Sequence, residues 1–305
     1  MQKVVENIEQ MIGNTPMYHF AALGKKLGLR ADIYGKCEFY NPLFSIKDRA
    51  AQNMLDKALR DKKTDDIVVI EATSGNLGVA MAAMCAARGV KSMAIMPENT
   101  AIEKIKIIKH FGCDVILTPK EDGMSGAMAK AEMLAQKSDN VLWLRQFENE
   151  ANPQAHLFNT AVEIWTEMKG EADMVITAVG TAGTLSGIAQ ALKTSNPDLQ
   201  VVAVEPLNSN VLSGGKKGIH HIHGIGAGFV PPFYKSEMVD EVRAIADEDA
   251  WDMAKLVAQT EGLPIGVSAG AAMTAAVEIA REEKMRGKKI VVILPDAINN
   301  YISEL

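Results

Sequence analysis

Apolar, β-branched runs alternate with alanine-rich stretches along most of the chain. The change of period between them predicts alternating strands and helices. Asp66 to Glu71 (Asp-Ile-Val-Val-Ile-Glu) is a short, almost unbroken apolar run, the pattern of a strand covered on both faces. A glycine turn follows, and then Gly78 to Gly89, rich in Ala and Met, predicts a helix. Lys91 to Pro97 predicts the next strand, and Ala101 to Phe111 a helix that Gly112 ends. Asp114 to Thr118 predicts a strand, Met124 to Ser138 a helix, and Asn140 to Leu144 another strand. Near residue 150 the pattern restarts. Asp173 to Val179 predicts a strand, followed by a glycine-rich turn and a helix over Leu185 to Thr194. Leu199 to Glu205 predicts a strand, Trp251 to Thr260 and Ala269 to Met285 helices, and Lys289 to Pro295 a last buried strand. Strands and helices alternating at these lengths imply the α/β class, with two lobes, each a mostly parallel sheet flanked by helices.

Composition narrows the function classes. The 305 residues are 48% hydrophobic and 23% charged, an ordinary globular balance. The net charge is −6 and no long basic run occurs, so nucleic acid is not expected as a partner. No apolar run reaches the roughly 20 residues that span a bilayer. The stretch Met1 to Gln10 has charges within its apolar part and does not read as a signal peptide. Cys37, Cys85 and Cys113 are widely spaced, without C-x-x-C or zinc spacing, and read as reduced structural thiols of a cytoplasmic protein. No metal is expected. Met81, Met84, Met128 and Met133 sit at helical core positions and read as packing.

Three strand–turn–helix junctions carry small polar residues at strand carboxyl ends, where open α/β sheets bind ligands. Gly180-Thr-Ala-Gly-Thr184 opens a helix, whose free N–H groups and dipole suit a phosphate; the same glycines also suit tight helix packing. The turn lacks a lysine, so it is not a P-loop, and no dinucleotide fingerprint is present. Thr73-Ser-Gly-Asn76 also heads a helix: its hydroxyls fit a carboxylate, and equally fit simple N-capping. Gly266-Val-Ser-Ala-Gly270 is the third junction. Lys47 starts a helix followed by Ala50, Ala51 and Met54. Such a lysine is either desolvated and nucleophilic or an ordinary helix-start residue paired with Asp48 or Glu38.

In this order, the segments resemble the cysteine synthase and cystathionine β-synthase family of pyridoxal 5′-phosphate (PLP) enzymes, which have the tryptophan synthase β-like fold type II. Seven motifs carry the resemblance: Ile12-Gly-Asn-Thr-Pro16; Ser45-Ile-Lys-Asp-Arg49; Thr73 to Asn76; Gln146-Phe-Glu-Asn-x-x-Asn-Pro153; Gly180 to Thr184; Val211-Leu-Ser-Gly-Gly215 with Gly224-Ile-Gly-Ala-Gly-Phe-Val-Pro231; and Gly266 to Gly270. They lie closest to O-acetylserine sulfhydrylases. The resemblance implies that Lys47 forms the Schiff base and then moves the α-proton. It implies that Asn76 binds the cofactor's 3′ oxygen, that Gly180, Thr181, Ala182, Gly183 and Thr184 hold its phosphate, and that Ser268 meets its ring nitrogen. A neutral hydroxyl at the ring nitrogen makes a weaker electron sink and favours β-elimination. Thr73, Ser74, Gly75, Leu77, Gln146 and Gly224 would line the substrate.

The implied reaction is β-replacement: O-acetyl-L-serine loses acetate to give an aminoacrylate, which sulfide attacks to form L-cysteine, with ping-pong kinetics. The alternatives keep the intermediate and change the partner, releasing hydrogen sulfide from cysteine or condensing serine with homocysteine. The resemblance further implies a smaller mobile lobe over residues 41–149, a larger lobe from residues 1–40 and 150–305, a homodimer, and a complex with serine acetyltransferase. Several positions depart from the family. Leu77 stands where most members have Thr, Leu43-Phe44 replaces small residues, and Ala182 replaces a glycine. Pro97 to Ala101 lacks the usual Met-Ser, and Gly35 to Phe39 and Leu294 to Tyr301 are nearer the cystathionine β-synthase branch. Since the chain stops at Leu305, that branch's regulatory domain is expected to be absent, as is its haem segment. His220, His221 and His223 cluster without metal-ligand spacing and read as part of a substrate-side or gating loop.

Overall fold

The computed structural model describes residues 4–61, 64 and 66–304. Met1 to Lys3, the beginning of the stretch read as carrying no signal peptide, and Leu305 lie outside the described residues. The chain runs β1 (Met17–His19), α1 (Ala21–Leu27), β2 (Asp32–Cys37), α2 (Lys47–Arg60), β3 (Val68–Ala72), α3 (Asn76–Ala87), β4 (Lys91–Pro97), α4 (Ile102–His110), β5 (Asp114–Thr118), α5 (Gly123–Ala135) and β6 (Val141–Trp143). It continues through α6 (Ala151–Ala155), a π turn (His156–Thr160), α7 (Ala161–Glu167), β7 (Met174–Ala178), α8 (Gly183–Ser195), β8 (Gln200–Pro206), β9 (Glu241–Ile245), α9 (Asp247–Glu261), α10 (Val267–Ala280) and β10 (Lys289–Leu294). Two compact units form: Met1–Ile12, Asn41–Leu43 and Lys47–Asn152, and Gly13–Tyr40, Phe44–Ile46 and Pro153–Leu305.

The first unit is a four-stranded parallel sheet in the order β5-β4-β3-β6. Side chains alternate across it, as the strand period requires. Val69, Ala94 and Met96 pack against α2, α3 and α4, while Ile70, Ala72 and Ile95 pack against α5. Helix α3 is apolar around its whole circumference, and Leu77 through Cys85 are all buried. A helix of that kind is stable only when enclosed, so it sits between the sheet and its helical neighbours.

The second unit is a six-stranded sheet in the order β1-β2-β10-β7-β8-β9. Only β1 runs antiparallel to its neighbour. One face packs α1, α9 and α10 on Ile176, Val202, Val292 and Leu294. The other packs α7 and α8 on Val175, Val201, Val291 and Ile293. Both sheets are thus parallel or nearly so and covered on both sides, the arrangement predicted from the apolar runs.

All three cysteines are free and buried. They lie at the end of β2, within α3 and in the turn before β5. Burial pushes the Cys37 and Cys85 thiols up to about 12 and raises Cys113 as well, so none is a reactive thiolate near neutral pH.

One polar knot lies in the second unit. Lys36 on β2 is wholly buried, and its Nζ is 2.8 Å from Glu163 and from Glu167 and donates to the Thr15 carbonyl at 2.6 Å. Glu163 also accepts from the Asn14 N–H at 2.9 Å, where the backbone is left-handed (φ 49°). The knot therefore shapes the Gly13-Asn-Thr-Pro16 turn.

Candidate active site

Lys47 is the first residue of α2 and is half-buried. Its helix start is held locally: the Asp48 carboxylate, itself buried, accepts from the Leu43 N–H at 2.8 Å. In the second unit, Ile46 donates to the Pro295 carbonyl at 2.8 Å, and Ser45 bridges to Asp296. Phe44 between them has a left-handed backbone (φ 63°) and an exposed ring. Such a conformation is costly for an aromatic residue, and it survives because hydrogen bonds fix the chain on both sides.

In the first unit, the turn after β3 carries Thr73, Ser74, Gly75 and Asn76. The Thr73 oxygen accepts from the Gly75 N–H at 3.2 Å and the Gly78 N–H at 3.3 Å, so it caps α3. Capping uses the lone pairs and leaves the hydroxyl proton as a donor, so the two readings of this threonine are compatible. Ser74 is exposed, and Gly75 and Asn76 are half-buried. Gln146 is brought to the same turn: its amide donates to the Ala72 carbonyl at 2.8 Å, and its own carbonyl accepts from Asn152 at 2.8 Å. Arg145, just before it, is left-handed (φ 57°), a strained backbone of the sort that accumulates at functional sites. Leu77 is 2% exposed and belongs to the core of α2, α3 and α4. Its side chain has no hydrogen bond to offer.

In the second unit, Gly180 to Thr184 form a cradle between β7 and α8. Ala182, at the helix N-cap, is left-handed (φ 63°), which turns the chain sharply into α8. A Cβ on Gly180 would stand 2.6 Å from the Gly224 carbonyl, so only glycine lets these two loops meet. Gly226 donates to the Val179 carbonyl at 3.1 Å and completes that contact. The cradle offers backbone N–H groups at the start of a long helix, one of which (Gly183) donates to the Thr181 hydroxyl oxygen at 3.3 Å, together with the Thr181 and Thr184 hydroxyls, a donor set that fits a phosphate dianion. Ser268 is the second residue of α10, buried at a helix start behind Gly266.

The three clustered histidines go separate ways. His220 accepts from the Ile222 N–H through Nδ1 and pairs through Nε2 with the Gly226 carbonyl at 3.0 Å, which fixes the glycine loop. His221 uses its backbone N–H on Asp247. His223 pairs with Glu304 at 2.7 Å and stacks on Tyr301.

Three residues that no sequence signal marked touch these turns. His156 is buried in the π turn, with Nε2 3.3 Å from the Thr184 hydroxyl. Lys104, buried on α4, donates to Asn76 Oδ1. Glu71, the residue before Ala72, is fully enclosed. Burial pushes its carboxyl up to about 8, against the opposing dipoles of the Gln146 and Arg145 N–H groups and the Trp143 indole. Its Oε2 and Trp143 Nε1 are both buried without a hydrogen-bond partner of normal geometry. The folded state therefore keeps this proton to a higher pH than the unfolded chain does. Stability is lost as pH rises from about 4.5 to about 8 and is level above that. Glu71→Gln is expected to remove that loss, making the variant more stable than the parent by a few kcal/mol at pH 9 and nearly equal to it at pH 4. Urea melts across that range check it; a constant difference would reject the buried-proton account.

Residues 8–296 match the family described as pyridoxal-phosphate dependent enzyme. The chain belongs to that family. Over 302 residues it is 43% identical to Cysteine synthase B of Campylobacter jejuni, covering 99% of this chain and 98% of the relative. Among solved structures it resembles O-acetyl serine sulfhydrylase isoform 3 of Entamoeba histolytica, with a TM-score of 0.93, 40% identity, and coverage of 99% and 91% of the two chains. It also resembles a hydrogen sulfide-producing enzyme of Fusobacterium nucleatum, with a TM-score of 0.93, 35% identity, and coverage of 98% and 100%. The fold is that of the fold type II PLP enzymes, and the resemblance read from the seven motifs holds along the whole chain. No helix among the described residues is long and apolar enough to cross a membrane.

Proposed function

We propose that this chain forms L-cysteine and acetate from O-acetyl-L-serine and sulfide by PLP-dependent β-replacement. The observation that best supports it is the full-length likeness to Cysteine synthase B, with hydroxyl- and amide-bearing turns intact at the ends of β3 and β7. When bound, PLP supplies the electron sink that makes the α-proton acidic and lets the β-substituent leave. Lys47 is the residue that carries the cofactor, and its Nζ takes and returns the α-proton. Gly180 to Thr184 hold the phosphate through N–H groups, the two threonine hydroxyls and the positive end of α8. Ser268 meets the ring nitrogen, and Asn76 donates to the 3′ oxygen. Thr73, Ser74, Gly75 and Gln146 orient the substrate by its carboxylate, while Gly224 and Leu77 limit its shape.

The likeness to the Fusobacterium enzyme favours one second reading, release of hydrogen sulfide from L-cysteine, with Leu77 as the residue that biases the choice. A test with both substrates separates them. The holoenzyme is expected to convert O-acetyl-L-serine and sulfide to cysteine far faster than it releases sulfide from cysteine. Sulfide release without turnover of O-acetyl-L-serine would reject the synthase reading.

A homodimer is part of the same proposal. Phe158, Val162 and Trp165 recur at helical spacing along the π turn and α7 and are exposed, an apolar ridge suited to a second copy. A cytoplasmic location and association with serine acetyltransferase, which the motif resemblance implies, belong to the same proposal.

A further inference from the structure

Helix α4 carries three lysines. Lys106 and Lys109 are exposed, as lysines on a surface helix ordinarily are, whereas Lys104 is 4% exposed. Its Nζ donates to Oδ1 of Asn76, the first residue of α3. A buried ammonium group is costly, and a cation at the positive end of a helix is opposed by the helix dipole. The arrangement has one geometric consequence. Lysine can only donate hydrogen bonds, so the amide oxygen of Asn76 must face Lys104, and the amide nitrogen must point the other way. Removing Lys104 takes away the donor that requires the amide oxygen on that side. The end the amide presents matters for an anionic oxygen, which a carbonyl would repel and an N–H would hold.

We infer that Lys104 is a positioning residue for the cofactor: it locks the Asn76 amide with its N–H toward the anionic 3′ oxygen and adds positive charge behind it. The inference rests on the proposed contact of Asn76 with that oxygen. Lys104 touches neither substrate nor cofactor in this scheme; it acts through Asn76. Two anions, the 3′ oxygen and the substrate carboxylate, are proposed to gather at the α3 terminus. Both carry the charge that a nearby ammonium group favours.

The test uses the full chain reconstituted with PLP. Its readouts are the PLP dissociation constant and the visible absorption band of the bound cofactor, followed with pH. Lys104→Met keeps the length and apolar stem of the side chain. It is expected to weaken PLP binding about tenfold, the scale of one charge-assisted hydrogen bond, and to make the band titrate at a different pH. Lys104→Arg, which still donates, is expected to restore both. Asn76→Ala is expected to give the same changes, and the double variant to be no worse than either single one, because the two residues act as one unit. Thermal melts of each apoprotein show that the variants fold; should Lys104→Met fail to fold, Lys104→Leu, which also lacks a donor, against Asn76→Ala makes the same comparison. Additive losses in the double variant, or an unchanged band in Lys104→Met beside a changed one in Asn76→Ala, would overturn the inference and leave the Asn76 contact standing. An unchanged band in Asn76→Ala would remove the contact itself, and the inference with it.

Discussion

Lys47→Ala is expected to abolish cysteine formation, lowering the rate by about 10⁴-fold or more, and to remove the visible band of the bound cofactor. The magnitude follows from the two tasks assigned to one nitrogen. As the proposed covalent anchor it would hold the cofactor in reach, and as the proposed base it would move the α-proton; losing either alone would cost orders of magnitude. The stability cost should be small. Lys47 is the first residue of α2 and half-buried, and the bond that sets the helix start comes from Asp48 to Leu43. Equal melting temperatures of the two apoproteins, with activity lost only in the variant, are the expected pair of results. Retained turnover above about one per cent of the parent would reject Lys47 as the catalytic lysine.

The second large effect is on folding. Lys36→Met is expected to destabilise the chain by about 3–5 kcal/mol, measured by urea denaturation. The substitution leaves Glu163 and Glu167 near one another without the ammonium that lies 2.8 Å from each. Their side chains keep only 15% and 31% of their exposure, so water replaces the lost partner poorly. The Thr15 carbonyl loses a donor as well, and the Asn14 turn loosens because Glu163 is what holds its N–H. Replacing all three charged residues together, as Lys36→Met with Glu163→Leu and Glu167→Leu, is expected to recover part of the loss, since a buried cluster contributes less than its breakage costs. A loss below about 1 kcal/mol for Lys36→Met alone would mean that the cluster is solvated in solution.

Much of this architecture is legible in the chain's periodicity. The expected strand at Asp66 to Glu71 is β3, Lys91 to Pro97 is β4 residue for residue, and Lys289 to Pro295 is β10. These segments are unambiguous because parallel strands covered on both faces must be apolar throughout. The short elements were not legible. Strand β1 has three residues, too few to show a period, and β9 mixes Glu241 and Arg243 with apolar neighbours because it lies at a sheet edge. Strand order was not legible either. Asp32 pairs with Lys289, and nothing local to either segment records that register.

The site divides in the same way. The sequence by itself determined the α/β class, the order of the candidate ligand-binding turns and the membership of the PLP family, with Lys47 as its expected anchor. These are properties of short contiguous motifs, in which glycines and hydroxyls specify the backbone before anything else packs on it. Only the tertiary structure decided what stands behind each motif. It set Lys104 against Asn76, His156 against Thr184, Gln146 against the Ala72 carbonyl, and enclosed Glu71 and Lys36. The partners in these pairs lie 28 to 74 residues apart along the chain. Burial and hydrogen-bond pairing are properties of the packed molecule, so a lysine or glutamate that looks like a solvated helix or strand residue in sequence acquires its role only when the core closes over it.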